Sequence, residues 1–369
     1  MTYSILVLSA SKLTYGAKYH LNQTVKALNK SKKFSTIEIL LSDDIDILPL
    51  KNVFKKILPW SSVGIFNLLY IQFILPLYCI WKNISVLYCP WGIAPIFFKG
   101  IIVLGAHNPL PLIPNTRYSL RNFIFSFFYQ LSLKNSHIVK VPSKTFGSFL
   151  ADKYSLSKKK FYIVEHGIEV EHWKYPANHK FTSSYMKSVI RPYFIFWSWF
   201  HETKNITRMI LAYEKFIRSS YPNSIKLLMA GKFTDSLYEF EIKKLISNLG
   251  LDDSIQFLIN PSHESLVDVI QNSSGIYLPF EFETFGFPYV EARVFDKPIA
   301  IGLNLVSLEI SENQCYYFDP GNIDSMTDAF RFLQNNCHHS FKYSISDKFY
   351  SESEVNNMSD MFEKVLKLV

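Results

Sequence analysis

Apolar residues fall in short blocks along this chain, and two spacings take turns. Runs of β-branched and aromatic residues alternate with stretches whose apolar positions recur at helical intervals, the pattern of strands alternating with amphipathic helices. In the first half, Tyr3–Leu8, Thr36–Leu41, Val86–Cys89, Ile101–Leu104, His137–Val141 and Phe161–Val164 predict strands, with helices near 16–30, 63–81, 117–134 and 143–154. The segment 174–191 is polar and without period, which predicts a linker. Pro192 opens a second cycle. Its strands are predicted at Tyr193–Trp197, Ile225–Met229, Ile255–Leu258, Gly275–Leu278, Pro298–Ile301 and Tyr316–Phe318, its helices near 204–219, 236–249, 263–272, 288–295 and 323–335. The last stretch spaces Val355, Met358, Met361, Phe362, Val365 and Leu366 along one helical face. Strand–helix alternation of this kind predicts α/β architecture with parallel sheets. The expected domains are 1–173, then 192–345 after the linker, with 346–369 as a C-terminal helix returning to the first domain.

Composition sharpens the picture. Of 369 residues, 48% are hydrophobic and 19% charged, so there is ample apolar surface to offset the entropy of ordering, and a disordered chain is excluded. The net charge of +8 is unevenly spread. Met1 to Trp173 holds 20 basic and 8 acidic residues, the remainder 19 and 23. No acidic residue lies between Asp46 and Asp152, where aromatics crowd among ten lysines and arginines. That combination predicts a surface that rests on anionic lipid, with cations near headgroups and aromatic rings at the interface. The uncharged run Ile57–Trp81 contains Asn67, Gln72 and Pro76 and leads into a strand, which favours a buried or interface-lying helix over a span. Nucleic acid is not expected, because the basic residues are scattered among apolar runs and no recognition motif occurs. The N-terminus lacks a basic n-region, and the four cysteines form no CxxC, which fits a reducing compartment.

The strongest chemical signal is IYLPFEFETFGFPYVEARVFDKPIAI, residues 276–301. A buried strand runs into a loop carrying Glu283 and Gly286, then a helix with Pro288 in its first turn, where a missing N–H costs least. Glu291 follows Glu283 by eight positions. Two carboxylates bracketing a helix start can accept hydrogen bonds from sugar and ribose hydroxyls, while free N–H groups there favour an anion. Taken alone, the same pattern also describes a capped helix with a solvated acid.

This segment resembles the E-x7-E region of the retaining GT-B glycosyltransferases of family 4, the group 1 glycosyl transferases. The matching residues are Glu283, Thr284, Phe285, Gly286, Phe287, Pro288, Glu291 and Ala292, followed by Asp296, Lys297 and Pro298. Supporting segments come in the family's order. PYFIFWSWFHETKN (192–205) is similar to the first strand and loop of the nucleotide domain, with Lys204 where the family's lysine meets the donor diphosphate and Trp199 where it carries arginine. KLLMAGK (226–232) matches the second strand and a turn at Gly231. In the first half, Gly16 stands where the family has a glycine loop against the diphosphate, and His107 ends a strand where the family often has a histidine close to the transferred sugar. EHGIEVEHW (165–173) is similar to the family's N-G-V/I-D signature, with His166 in place of asparagine.

The resemblance implies the fold: α/β, GT-B, two facing doubly wound Rossmann-like domains with a C-terminal helix. It implies a retaining, metal-independent hexosyltransferase that uses a nucleoside diphosphate sugar as donor substrate and no cofactor. Glu283, His107 and Lys204 are then the catalytic group. Glu291, Phe285, Gly286, Thr284, Gly231 and Gly16 bind the donor. No D-x-D motif flanks the site, so cationic and dipolar groups take the place of a metal, and the Cys337-His338-His339 cluster has no second ligand pair at a metal spacing. The expected acceptor is a lipid-linked oligosaccharide of bacterial surface polysaccharide (O-antigen or capsule). The expected location is cytoplasmic, peripheral at the inner face of the plasma membrane. A nicotinamide dehydrogenase is a poor rival, since no G-x-G-x-x-G follows either first strand. A GT-B sugar-nucleotide epimerase and a non-catalytic nucleotide-sugar binder remain open, the latter because Trp lacks the bidentate charged fork of Arg.

Overall fold

The structure, a computed structural model, describes residues 3–9, 15–42, 47, 49–58, 64–107, 112, 120–174, 192–220 and 225–369. The chain divides into two compact units, one of Met1–Gly167 with Asp347–Val369, the other of Ile168–Ser346. Of the expected linker, residues 175–191 lie outside the described residues; Lys174 closes a short helix, Val170–Lys174.

In the first unit the strands β1 (Tyr3–Ser9), β2 (Phe34–Leu41), β3 (Val53–Ile57), β4 (Val86–Cys89), β5 (Ile101–Gly105), β6 (Ile138–Val141) and β7 (Phe161–Ile163) form one parallel sheet in the order 3-2-1-4-5-6-7. The inner strands read as nearly unbroken apolar runs because helices cover both faces of such a sheet. β3 was not expected: its VFKKI sequence is mostly exposed, and it forms the sheet edge, where Lys55 and Lys56 discourage further pairing. The predicted 63–81 helix is Gly64–Leu69 followed by a π-helical turn, Tyr70–Ile74, and then Leu75–Trp81 with Pro76 in its first turn. A proline cannot supply the N–H that a continuous α-helix requires, and the wider turn absorbs the mismatch. Among the described residues no helix is long and apolar enough to cross a membrane.

The last helix, αC (Ser351–Val365), belongs to this unit. Its Met358, Met361, Phe362 and Val365 are buried together with Val25, Leu28, Phe34 and Tyr88. They pack beside the first helix, αN (Tyr15–Ser31).

The second unit repeats the plan. β8 (Tyr193–Phe200), β9 (Lys226–Phe233), β10 (Ile255–Ile259), β11 (Gly275–Leu278), β12 (Ile299–Gly302) and β13 (Tyr316–Phe318) form a parallel sheet in the order 10-9-8-11-12-13. Tyr277 stacks on Phe330 at 3.9 Å between centroids, in a cluster with Phe194 and Phe216 that seats the helices on one face. The helix predicted at 288–295 is shorter: Phe287–Glu291, then a 3-10 turn, Ala292–Val294. The chain must straighten before Pro298, because the residue ahead of a proline avoids helical backbone. A helix at Leu305–Ser311 was missed; its sequence signal was a capping box formed by Asn304 and Ser307. In both sheets the strand order reverses next to the first strand, between β1 and β4 and between β8 and β11. Ligands of doubly wound folds bind beyond the carboxyl ends of strands at such a reversal.

Candidate active site

The second unit gathers the predicted carboxylates and lysine at its reversal point. β8 carries Trp197 and Trp199 near its carboxyl end and leads into the 3-10 turn Glu202–Lys204, capped by His201, whose Nδ1 accepts the Thr203 N–H at 3.2 Å. Asn205, in left-handed backbone, donates through Nδ2 to the carbonyls of Pro279 at 3.0 Å and Pro320 at 2.8 Å. It thereby ties the loop after β8 to those after β11 and β13. This tie brings Lys204 against Glu283: the ammonium is ion-paired to Glu283 Oε1 and lies 4.8 Å over the Phe280 ring. Glu283 is buried, Lys204 partly so.

Thr284 and Phe285 are buried beside Glu283. Gly286 has φ +76°, and a Cβ there would collide with the Tyr289 ring, so the turn into the helix requires glycine. The helix is only five residues long, so its aligned dipole is smaller than the sequence pattern suggests. Glu291 lies on that helix and accepts a hydrogen bond from Trp197 Nε1 at 3.0 Å. Desolvation raises its carboxyl pKa to about 7, with the single indole N–H opposing.

Other expected residues stand apart from this group. Gly231 lies within β9, opposite Ser198 of β8, and not in a turn as expected; the strand continues to Phe233. Trp199 is half exposed, and Arg208 beyond it pairs with Glu281 at 2.7 Å. Cys337, His338 and His339 follow the helix Ile323–Asn336.

Gly16 and His107 lie in the first unit. Gly16 is the second residue of αN, so it sits in a helix start and not in a loop; residues 10–14 of the expected loop lie outside the described residues. His107 follows β5, as the sequence indicates, but it joins a cluster that the sequence reading missed. Its ring lies 4.8 Å from that of His20 and 5.1 Å from that of His166, between centroids. Behind these rings stands the buried Glu354 of αC. Its Oε1 is 3.1 Å from His166 Nδ1, 3.4 Å from His20 Nδ1 and 4.0 Å from the buried Lys140 Nζ, and its Oε2 accepts the Gly167 N–H at 2.9 Å. His20 Nε2 is 3.0 Å from the Tyr88 hydroxyl.

Burial pulls all three histidines below their ordinary pKa, His20 to about 3, and lowers Lys140 to about 8. The two histidines and Lys140 hold the Glu354 carboxyl well below the usual range, against the desolvation that opposes it. His20, His166 and Glu354 bring possible metal-ligand atoms within 4.8 Å of one another. The Lys140 ammonium beside the same carboxylate already supplies the balancing positive charge. Two signals in the sequence pointed to this cluster: Lys140 interrupts the apolar strand IVKV, and Glu354 interrupts the apolar face of αC.

Residues 184–344 match the family model described as "Glycosyl transferases group 1". Over 248 residues the chain is 23% identical to the O-antigen chain mannosyltransferase RfbU of Salmonella typhimurium, a match covering 63% of this chain and 65% of that protein's length. Among solved structures, sucrose-phosphate synthase from Thermosynechococcus elongatus superposes with a TM-score of 0.75 at 13% identity, covering 100% of each chain. Anabaena Alr3699/HepE in complex with UDP and glucose superposes with a TM-score of 0.68 at 15% identity, again over 100% of each. The two Rossmann-like units therefore constitute a GT-B fold, and its second unit carries the sequence pattern of the group 1 glycosyl transferases.

Proposed function

We propose that this protein is a retaining glycosyltransferase that moves a hexosyl unit from a nucleoside diphosphate sugar to a lipid-linked oligosaccharide in surface polysaccharide assembly. The observation that carries this reading is the Lys204–Glu283 pair at the carboxyl ends of β8 and β11, with Glu291 close by in sequence and held by Trp197. Support for the pathway comes from the name of the Salmonella relative, and support for the donor class from the neighbour's complex with UDP and glucose.

In the proposed reaction the donor diphosphate takes Lys204 from Glu283. The released Glu283 carboxylate then accepts hydrogen bonds from sugar hydroxyls. The bond between the sugar's anomeric carbon and the diphosphate oxygen breaks, with its electron pair leaving on the phosphate. The acceptor hydroxyl oxygen bonds the same carbon on the same face, and its proton passes to the departing phosphate. Lys204 stabilises the charge that develops on the leaving group, an effect strongest where the donor group is already in place. Glu291 accepts from the ribose hydroxyls, and the resemblance assigns His107 to the transferred sugar.

A membrane-attached acceptor fits the outer face of the first unit. Phe66, Leu69, Phe73, Leu77, Ile80 and Trp81 are exposed along the Gly64–Trp81 helical segment at helical spacing. The polar Gln72 points inward, bonding Ala94 O and Ile96 N at 3.1 Å each. Tyr70, Ile71, Leu75 and Cys79 are buried on the inner face, so the segment is apolar on both faces, unlike a water-facing amphipathic helix, and Phe123 and Phe127 are exposed on Leu120–Asn135. Lys56 and Lys82 lie over the rings of Tyr78 and Trp81, and Glu38 is the acid beside them. Cosedimentation with vesicles should retain the protein on anionic lipid and release it in Phe73→Asp/Leu77→Asp; equal recovery in the supernatant with and without vesicles removes the membrane part.

The donor reading is tested by thermal shift with UDP-glucose, GDP-mannose and dTDP-glucose at millimolar concentration. A bound donor stabilises only the folded chain, by about 2.7 kcal/mol at a hundredfold excess over Kd. No shift with any of the three, and no nucleotide release, would overturn it.

A further inference from the structure

Glu354 lies on the last helix, and its carboxylate organises the side chains that surround His107. One oxygen meets the imidazole nitrogens of His166 and His20, and the other takes the Gly167 N–H. These two histidines come from separate places in the chain, one from αN and one from the segment after β7. Both rings flank His107 within 4.8–5.1 Å between centroids. Among the described residues, other charged or titratable groups at the cluster are Lys140 of β6, Tyr88 and Cys89 of β4, and Glu165, whose charge acts on Lys140.

The backbone confirms that αC must arrive close. A Cβ on Gly167 would lie 2.6 Å from the Cα and N of Ser351, at the start of αC. The same start is held by Gln23 Nε2, which donates to Ser351 Oγ at 2.6 Å. The helix therefore has one seating that lets Glu354 reach both histidines, and glycine at 167 permits it.

We propose that Glu354 is a positioning residue: by fixing His20 and His166 it sets the ring of His107, making the C-terminal helix part of the site that His107 serves. The functional half of this statement rests on the reading of His107 as a sugar contact. Without the carboxylate the two flanking rings lose their shared anchor, and His107 gains freedom and water.

The test reads His107 directly. Hydrogen exchange at the imidazole C2 position, followed by mass spectrometry below the melting transition, is compared in wild type, Glu354→Gln and Gly167→Ala. Gly167→Ala displaces the helix start and leaves every charge in place, so it stands if the first variant folds poorly. The expected result is exchange at His107 at least threefold faster in both. Exchange at His107 within 1.5-fold of wild type, while His20 and His166 respond, overturns the proposal and leaves Glu354 a helix anchor. Turnover is then measured as UDP release from UDP-glucose. Glu354→Gln should lower kcat at least fivefold with KM unchanged, and should add nothing in a His107→Ala background. Equal fractional losses in both backgrounds also overturn it. His107→Ala with wild-type turnover instead strikes the reading of His107, and the exchange comparison stands on its own.

Discussion

Each unit holds a desolvated carboxylate near the reversal point of its parallel sheet, Glu354 fully buried and Glu291 partly exposed, and the two are treated in opposite ways. Glu354 is surrounded: two imidazoles, an ammonium and a backbone N–H converge on it, and its pKa falls below the usual range. Glu291 takes the Trp197 indole N–H, and desolvation raises its pKa to about 7. Lys204, nearby in the second unit, pairs with Glu283 and is partly exposed. A carboxylate surrounded by countercharge needs no ligand to balance it and contributes rigidity, although His20 Nδ1 and Lys140 Nζ beside Glu354 make no hydrogen bond of their own. An open one leaves hydrogen-bonding capacity and charge that a ligand can use, which is why strongly perturbed groups with few partners mark functional sites. The contrast teaches that burial of charge does not by itself locate the chemistry; the completeness of its compensation does.

The largest effect expected from this contrast is on stability in the closed network. Glu354→Ala strands a buried ammonium, and breaking one side of a buried pair costs about 3–5 kcal/mol. Chemical denaturation should show a loss of that size, partly recovered by Lys140→Met in the same chain. A change under 1 kcal/mol would mean that the network is looser than its distances indicate.

The open pair should behave in the reverse sense. Lys204→Ala removes the positive group that the proposed reaction sets at the leaving phosphate, and loss of one such preorganised group costs about 10²–10³ in kcat. Stability should fall by less than in Glu354→Ala, because Glu283 is buried and loses its cation while Lys204 itself is partly open to solvent. Nucleotide release and melting temperature measured on one preparation check both halves. Wild-type release by Lys204→Ala would remove this lysine from the reaction.

Much of the second unit was legible in the sequence, because its signals are local. Strand runs, Gly286, Pro288 and the spacing of Glu283 and Glu291 are all read within one stretch of chain, and the parallel pairing follows from strand–helix alternation. The closed cluster was not legible as a unit, since His20, Lys140, His166 and Glu354 come from four distant segments and meet only through the sheet order and the return of αC. Its traces were single anomalies, a lysine inside β6 and a glutamate on an apolar helix face. The edge strand β3 escaped because an exposed strand lacks the apolar run that announces a buried one. The turn expected at Gly231 came from the resemblance alone, and here β9 continues past it.

The two carboxylates also predict opposite responses to pH. His20 and His166 have lowered folded pKa values, so between the ordinary 6.5 and about 3 the unfolded chain binds protons that the folded cluster refuses. Glu354 acts in the same direction from 4.5 downward, and the stability of the first unit is lost as pH falls. Glu291 is raised, so between 4.5 and about 7 the folded state holds a proton that the unfolded chain has released. Its contribution is full below 4.5 and is lost as pH rises through about 7. Glu291→Gln keeps an acceptor for the Trp197 N–H but cannot ionise. At pH 8 it should therefore be more stable than wild type by about 1–3 kcal/mol, with no gain at pH 4.5. On the proposed reading that Glu291 accepts from the donor's ribose, the same substitution should weaken binding of whichever nucleotide sugar shifts the melting temperature at pH 8 and flatten its pH dependence, because a proton would compete with the ribose hydroxyls below pH 7, by up to about tenfold per pH unit. A gain in stability together with a loss of affinity would identify Glu291 as a group kept uncompensated for a ligand. Loss of both would place it with Glu354, as a piece of the scaffold.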